Sequence, residues 1–409
     1  MEKRVTNVDK NLPDSEHALD ASRQDASLSP TNRRYLEPVF IVGQFKCGST
    51  WLLQALGAHP QVIGVAEVDI VQASCRLPGS KDGRVEDSTI RLTPVEERLH
   101  KFFDGSGWCA YYDGSRWLGR DASAQLERGE DLQTIFGDYA KKRDRDKLQR
   151  FMNLPSEVAT GLYRNIKEAK RPEDAMDAFL EAACADAQGE SHVVLKGADQ
   201  IAVFEALKAW QPDAKKIVIT RDGRDAAFSA LHFRQVMKQR NAPFRSQREW
   251  DYWDLLRNWA RRAGMVAERA RQGELSVIRY EDLTRDFSGT LKPLLAWLQL
   301  DASDAVIEEI NAKSSFEATT GRPRGTDGEG PRRKGAVGEW VDALSKEDKA
   351  KAWSLAGKQL SALGYTRDGR FRPLPKGFMP LPPEAQQSQP LTGRIREAVR
   401  STTLRLRRG

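Results

Sequence analysis

Residues 39–51 read VFIVGQFKCGSTW, a short apolar run followed by a turn with lysine, two glycines and two hydroxyl side chains. The apolar run is short enough for a buried strand, and residues 50–58 read as a helix. A turn between a parallel strand and a helix directs backbone N–H groups at one point, where the helix dipole favours an anion. Gly48 lets the backbone approach an oxyanion, and Lys46 adds a positive charge. The stretch therefore predicts a phosphate-binding turn, because helix capping alone would not need the lysine.

The turn is not a Walker A loop. That motif reads GxxxxGK[ST], with lysine directly after glycine. Here Lys46 precedes Gly48, and no glycine occupies the earlier position that the motif needs. A nucleotide kinase or another Mg²⁺-dependent phosphoryl transferase is therefore a disfavoured alternative.

Strands and helices alternate in the second half of the chain. Apolar runs predict strands at 192–195, 216–220 and 276–279. Helices are predicted at 199–210, 222–238, 249–272, 285–298, 303–312 and 345–363. This alternation predicts an α/β fold, in which helices cover both faces of a mainly parallel central sheet. Residues 280–283, which read YEDL, are interpreted as structural residues at the start of a helix.

Changes in composition predict the domain boundaries. Residues 1–34 are polar and without periodicity, which predicts a disordered segment. One domain is expected at 35–367, with residues 68–190 as an inserted helical region that covers the substrate. Residues 368–409 are rich in proline and then basic. We interpret them as a disordered tail, with a helix on a membrane surface as the weaker alternative.

Two further groups of polar residues could hold an anion. Arg221 stands at the exit of the predicted strand 216–220, and Ser229 lies two helical turns later. Both are expected at the carboxyl edge of the sheet, where open α/β folds bind ligands. Residues 333–340 read RKGAVGEW, a basic loop whose glycines permit a tight path. Taken singly, a charged strand exit followed by an ordinary helix would explain the first group equally well, and an exposed basic loop is the alternative for the second.

Together, the three elements resemble the cofactor-binding motifs of sulfotransferases that use 3′-phosphoadenosine 5′-phosphosulfate (PAPS). FKCGSTW at 45–51 is similar to the PKSGTTW loop that holds the 5′-phosphosulfate in cytosolic members. The interval of eight residues from Arg221 to Ser229, and RKGxxGxW at 333–340, are similar to the motifs that hold the 3′-phosphate. The resemblance implies a P-loop NTPase-like sulfotransferase fold with PAPS as co-substrate. The residues that it assigns to PAPS are Lys46, Cys47, Gly48, Ser49, Thr50, Trp51, Arg221, Ser229, Arg333, Lys334 and Gly335.

The sequence departs from the cytosolic pattern at the residue that would deprotonate the acceptor. In cytosolic sulfotransferases a histidine lies two residues after a lysine, but here Ala198 follows Lys196 at that distance. Residues 59–70, HPQVIGVAEVDI, resemble instead a segment of heparan-type Golgi sulfotransferases, whose glutamate corresponds to Glu67. The resemblance thus assigns catalytic roles to Lys46, Glu67 and Lys196. Asp69 and a residue of the inserted region are alternatives for the base, and a non-catalytic relative that binds PAPS or adenosine 3′,5′-bisphosphate is the alternative function.

The composition limits which ligands and which cellular compartment we expect for the protein. The net charge of +7 over 409 residues fits an anionic ligand but does not identify it. No apolar run is long enough to span a membrane, and the first 20 residues lack an apolar signal core, so we expect a cytoplasmic protein. The four cysteines have no metal-binding spacing, which predicts reduced thiols and no metal site. The expected acceptor is a carbohydrate, a lipid or a small natural product, without nucleic acid as a partner; the oligomeric state stays open.

Overall fold

A computed structural model describes residues 36–65, 70–76, 91–99, 102, 111–112, 117–118, 128–129, 156–185, 187–197, 200–239, 249–326, 328 and 334–379. These residues belong to one compact unit that begins at Leu36. The predicted disordered segment 1–34 and most of the predicted tail lie outside the described residues.

A sheet of parallel strands forms the centre of the fold. Its strands are β1 (Glu37–Val42), β2 (Val62–Val65), β3 (His192–Gly197), β4 (Lys215–Thr220) and β5 (Ser276–Arg279). Their order is β2-β3-β1-β4-β5, and every pairing is parallel. The predicted parallel sheet is therefore confirmed, and four of its strands lie where the apolar runs place them.

Strand β2 was not predicted, because a glycine interrupts its short apolar run. The structure explains why Gly64 is tolerated there. A Cβ on Gly64 would lie 3.2 Å from the Cα of Gly57, so the backbones of β2 and the preceding helix approach too closely for a side chain. This close approach depends on a tertiary contact, which strand propensity does not reveal.

Helices connect the strands and cover the sheet. They are α1 (Ser49–Gly57), α2 (Ile70–Ser74), α3 (Val95–Leu99), α4 (Ser156–Glu168), α5 (Pro172–Cys184), α6 (Phe204–Trp210), α7 (Gly223–Gln239), α8 (Tyr252–Arg271), α9 (Tyr280–Arg285), α10 (Phe287–Leu298), α11 (Asp304–Ser314), α12 (Phe316–Thr320), α13 (Glu339–Ala343) and α14 (Lys346–Ala362). The predicted helix at 199–210 begins as a 3₁₀ turn over Gln200–Val203 and continues as α6.

The side chains of β1 alternate between two apolar cores. Phe40 and Val42 belong to the core that includes residues of α7, α8 and α14. Val39 and Ile41 belong to the core that includes residues of α1, α10 and α11. A strand that is buried on both faces reads as a continuous apolar run, which is how the sequence predicted it.

The carboxyl ends of the strands place the candidate residues at one edge of the sheet. Strand β1 leads into the turn that contains Lys46, and Lys196 near the end of β3 pairs in register with Ile41. Strand β4 leads directly into Arg221, and β5 leads directly into Tyr280. Because parallel strands end at the same edge, segments far apart in sequence meet there.

Residues after α14 continue to pack on the domain. The backbone N–H of Val277 in β5 donates a hydrogen bond to the carbonyl of Phe378 at 2.6 Å. Arg279 donates to the carbonyl of Arg372 at 2.5 Å, and Tyr365 forms an isolated β-bridge with Phe371. The packed chain therefore extends beyond residue 367, where composition alone placed the start of the tail.

No helix in the ranges that the structure describes combines the length and the apolar character needed to cross a membrane.

We predict that Phe378→Ala destabilises the domain. Phe378 is only 2% exposed, so removing its ring leaves a cavity in the apolar core. The free energy of unfolding should fall by about 3 kcal/mol, measured by urea denaturation. Lys376→Ala, at an exposed position of the same segment, is the control and should leave stability nearly unchanged. If Phe378→Ala lowers the free energy of unfolding no more than Lys376→Ala does, the prediction is wrong and the segment contributes nothing to the core.

Candidate active site

The turn between β1 and α1 has two left-handed residues. They are Lys46, with φ of 62°, and Gly48, with φ of 100°. The positive φ of Lys46 is unfavourable for an L-residue, which is a local cost that ordered loops at binding sites often carry. Gly48 occupies the N-cap position of α1 and has no side chain to accept a hydrogen bond from the first helical turn. This arrangement suits an anion, which accepts the N–H groups that a capping side chain would otherwise accept.

The other predicted residues of this turn lie on different sides of it. The Cys47 side chain is fully buried in the core, and burial raises the pKa of its thiol to about 12. The Cys47 N–H donates to the carbonyl of Gln44 at 3.3 Å, so Cys47 closes the turn from inside. Ser49 is buried and Thr50 is half-buried on the first turn of α1.

The side chain of Lys46 packs on an aromatic ring. Its Nζ atom lies 4.5 Å from the centroid of the Phe233 ring, which belongs to α7. Phe45 packs edge-on against Phe233, with ring centroids 5.4 Å apart. Contact with the ring face stabilises the ammonium group without neutralising its charge.

Arg221 is buried at the end of β4 and holds a distant loop. Its Nη2 donates to the carbonyl of Ala336 at 2.6 Å, and the same atom lies 3.9 Å from Oδ2 of Asp225. Burial acts to lower the pKa of Arg221, but Asp225, Tyr280 and Glu281 together outweigh it, and the pKa rises above its usual value. The Nε of Arg221 makes no hydrogen bond within the described part of the chain, which leaves one buried donor for a ligand. Ser229 is half-buried on α7, on the same helix face as Asp225 one turn earlier.

Asp225 fixes the predicted basic loop against the start of α7. Its Oδ2 accepts the N–H of Gly338 at 2.6 Å, and its Oδ1 accepts the N–H of Trp340 at 3.1 Å. Burial raises the pKa of Asp225, although Arg221 acts to lower it. Sequence analysis did not assign Asp225, because only the folded chain brings the loop to it.

The loop itself contains Lys334 and Gly335. Lys334 is half-buried, and its Nζ lies 3.9 Å from Oε1 of Glu339. Gly335 has a φ of 64°, and a Cβ there would lie 2.8 Å from the ring of Phe316. Arg333 lies outside the described residues, as does Glu67, so their predicted roles stay predictions. Lys196 is buried near the end of β3.

Trp340, the aromatic residue of the RKGxxGxW sequence, packs on a buried arginine. The guanidinium of Arg224 lies 3.5 Å from the centroid of the Trp340 ring. Arg224 also forms a bidentate ion pair with Asp222, with distances of 2.9 and 2.6 Å. Trp340 thus anchors the loop to the protein core.

Tyr280 contacts all three predicted elements. A Cβ on Gly48 would lie 2.6 Å from Cδ2 of Tyr280, so the ring fills the space beside the first turn. The Arg221 guanidinium lies 4.9 Å from the ring centroid, and the Tyr280 hydroxyl donates to the carbonyl of Gly335 at 2.8 Å. The ring also packs edge-on against Trp51 at 5.4 Å. The YEDL segment begins α9, as predicted, but its tyrosine also joins the elements of the site.

The neighbouring Glu281 is buried and joins two distant segments of the chain. Its Oε1 accepts the N–H of Asp222 at 2.8 Å, and its Oε2 accepts the hydroxyl of Tyr365 at 2.9 Å. Burial raises the pKa of Glu281 from 4.5 to about 7. The sequence suggested a structural role for this segment, and these contacts agree with it.

Comparison with known proteins gives one family. The model of a family described as "Sulfotransferase family" matches residues 38–304, more than half of the chain. A search of curated protein sequences gives no significant match.

Several solved structures are distantly similar. The sulfotransferase domain of the Synechococcus PCC 7002 olefin synthase is 16% identical, with a TM-score of 0.44, over 80% of this chain and 96% of that chain. Sulfotransferase STF9 from Mycobacterium avium is 16% identical, with a TM-score of 0.38, over 83% and 79% of the two chains. Retinol dehydratase, solved with androsterone and the inactive cofactor PAP, is 16% identical, with a TM-score of 0.38, over 79% and 80%. The family model, and not these distant structures, determines the family of this chain.

We predict that Glu281→Gln changes how stability depends on pH. The pKa of Glu281 is higher in the folded protein than in the unfolded chain, so the folded state holds its proton more tightly. Its contribution to stability is complete below the unfolded pKa of 4.5 and is lost as pH rises through about 7. We compare the free energy of unfolding of the wild type with that of Glu281→Gln by urea denaturation. The difference, wild type minus variant, should be larger at pH about 5 than at pH about 8. The exposed Glu308→Gln is the control, and the prediction fails if both variants follow the wild-type pH profile in parallel.

Proposed function

The chain belongs to the sulfotransferase family, and on this premise we propose that it transfers the sulfuryl group of PAPS to a hydroxyl or amine of an acceptor. The observation that carries the proposal is the contact of Tyr280 with three separate elements. They are the turn at Gly48, the strand exit at Arg221 and the loop at Gly335. Their meeting supports a ligand with two anionic ends, because each element contributes backbone N–H groups or a cation.

The two anionic ends of PAPS would bind in different places. The turn with Lys46 would hold the 5′-phosphosulfate, since helix N-termini and lysine favour phosphate-like anions. Arg221, Ser229 and the loop with Arg333, Lys334 and Gly335 would hold the 3′-phosphate. The buried Nε of Arg221 supports this, because a charged donor in the protein interior is stabilised by an anionic partner.

The proposed reaction is a direct, in-line transfer. The acceptor atom attacks sulfur while the bond from sulfur to the 5′-phosphate oxygen breaks. Adenosine 3′,5′-bisphosphate leaves with the electron pair of that bond, and the proton of the acceptor passes to the base. Lys46 stabilises the charge on the leaving oxygen with help from Lys196, and Glu67 is the base.

A second candidate function is binding without catalysis. It is favoured by Ala198, which stands where cytosolic sulfotransferases have the catalytic histidine. A protein of this kind would bind adenosine 3′,5′-bisphosphate but would not transfer a sulfuryl group to any acceptor.

A calorimetric titration tests the nucleotide. We expect micromolar binding of adenosine 3′,5′-bisphosphate and none of ATP at the same concentration. Lys46→Met should weaken this binding about tenfold or more, because it removes a charged contact to the 5′-phosphate. Lys346→Met, at the exposed start of α14, is the matched control and should bind as the wild type does. If the wild-type protein does not bind the bisphosphate, the proposed function is wrong.

The role of Glu67 is tested with two kinds of acceptor. With an alcohol that the wild-type protein sulfates, Glu67→Gln should lower the transfer rate about 100-fold, the usual size of a general-base contribution. With 4-nitrophenol, which ionises without help near neutral pH, the loss should be much smaller. Binding of adenosine 3′,5′-bisphosphate should stay unchanged, which separates loss of the base from misfolding. Equal rates of the variant and the wild type with the alcohol would exclude Glu67 as the base.

A further inference from the structure

Gln44 is a buried amide residue of the phosphate-binding turn that the sequence motifs do not include. It lies between β1 and Lys46, and only 1% of it is exposed. An apolar side chain of similar size would fill the same space without needing a hydrogen-bond partner. The amide therefore indicates a role beyond packing.

The side chain of Gln44 joins the exits of two neighbouring strands. Its Oε1 atom accepts a hydrogen bond from the hydroxyl of Thr220 at 3.1 Å. Thr220 is fully buried, is the last residue of β4 and directly precedes Arg221. One hydrogen bond thus connects the turn that contains Lys46 with the strand exit that leads into Arg221.

This bond lies beyond the end of the backbone pairing between β1 and β4. The last pair of these strands in register is Ile41 with Ile217. Gln44 and Thr220 each stand three residues after that pair. The side-chain bond therefore continues the connection between the two strands as far as the edge of the sheet where the candidate site lies.

Gln44 is also joined to the residue that follows Lys46. The Cys47 N–H donates to the Gln44 carbonyl at 3.3 Å, and the Cys47 thiol donates to Oε1 of Gln44 at 3.9 Å. Residues 44–47 thus form one unit, so a bond that fixes the Gln44 side chain also fixes the position of Lys46. The N–H bond belongs to the backbone, and the turn should therefore persist when the side chain of Gln44 is replaced.

We propose that Gln44 is a positioning residue that keeps Lys46 at a fixed distance from Arg221, so that one nucleotide can reach both. This inference rests on the function proposed above, in which Lys46 holds the 5′ end and Arg221 the 3′ end. Gln44 acts through the turn and not by contact with the nucleotide. A ligand with two anionic groups gains affinity when the spacing of their two sites is set in advance, because binding at one end places the other end at its partner. A ligand with one such group has no such gain.

Calorimetry with two nucleotides tests the inference. Adenosine 3′,5′-bisphosphate reaches both ends of the site, and adenosine 5′-monophosphate reaches only the end at Lys46. Gln44→Met keeps the length of the side chain and removes the amide. It should weaken binding of the bisphosphate about 5- to 10-fold, the size of one hydrogen bond, and that of the monophosphate less than about twofold. Gln272→Met, at an exposed position just after α8, is the matched control and should leave both affinities unchanged.

A second variant breaks the same bond from its other side. Thr220→Val removes the hydroxyl and keeps the shape of the side chain, so it should weaken bisphosphate binding as much as Gln44→Met does. The double variant should lose no more affinity than either single variant, because the same bond is broken in all three. Thr220→Ser keeps the hydroxyl and should bind within about twofold of the wild type. Circular dichroism and the midpoint of thermal unfolding check that each variant is folded, and if one single variant does not fold, the other decides the test.

The remaining outcomes are distinguishable. If the folded variants bind the bisphosphate as the wild type does, the bond only stabilises the fold and the inference is wrong. Equal losses for both nucleotides would overturn it too, as would single losses that add up in the double variant. If the wild type binds the bisphosphate no more tightly than the monophosphate, the two ends do not act together and the inference fails although the nucleotide binds. If the wild type binds neither nucleotide, the proposed function fails and this inference fails with it.

Discussion

The buried carboxylate of Asp225 is the interaction on which the candidate site depends. It joins the start of α7 to Gly338 and Trp340, which follow it by 113 and 115 positions. Burying a carboxylate is costly unless hydrogen bonds and an opposite charge compensate, and here two N–H groups and Arg221 do so. Together with the bond from Arg221 to the carbonyl of Ala336, this anchor fixes the distance between the basic loop and the strand exit. The same residue therefore sets both the position of the loop and the electrostatic environment of the arginine.

A single aromatic ring sets the spacing between the turn at Gly48 and the loop at Gly335. A Cβ on Gly48 would lie 2.6 Å from Tyr280, and a Cβ on Gly335 would lie 3.3 Å from its hydroxyl. Both glycines thus leave room for the same side chain, and both have a positive φ. The ring acts as a rigid spacer, since its size and its hydroxyl bond fix how closely the two turns approach. Under the proposed function, a nucleotide that bridges the two segments would be selected by that distance as well as by its charge.

The sequence predicted those parts of the structure that depend on local pattern. The apolar run of β1, the turn at Lys46 and the strand leading to Arg221 each have a periodicity or a spacing that is visible without the fold. The parts that it did not predict depend on contacts between distant segments. Strand β2 is short and tolerates Gly64 only because Gly57 lies opposite, and Asp225 looks like an ordinary charged residue until the loop reaches it. No periodicity marks such residues, because their partners meet them only in the folded chain. Gly57 packs against Gly64, and Asp225 bonds to residues 113 and 115 positions later.

The hydrogen bond from Val277 to Phe378 has a consequence for the synthesis of the chain. Strand β5 is an edge strand, and an open edge can pair with strands of other molecules. Its covering residue lies about 100 positions later, so the ribosome exposes β5 well before the segment that protects it. During that interval the outer edge of β5 in the nascent chain is not covered. Synthesis of the segment around Phe378, and not only the formation of the sheet, therefore covers this edge of β5.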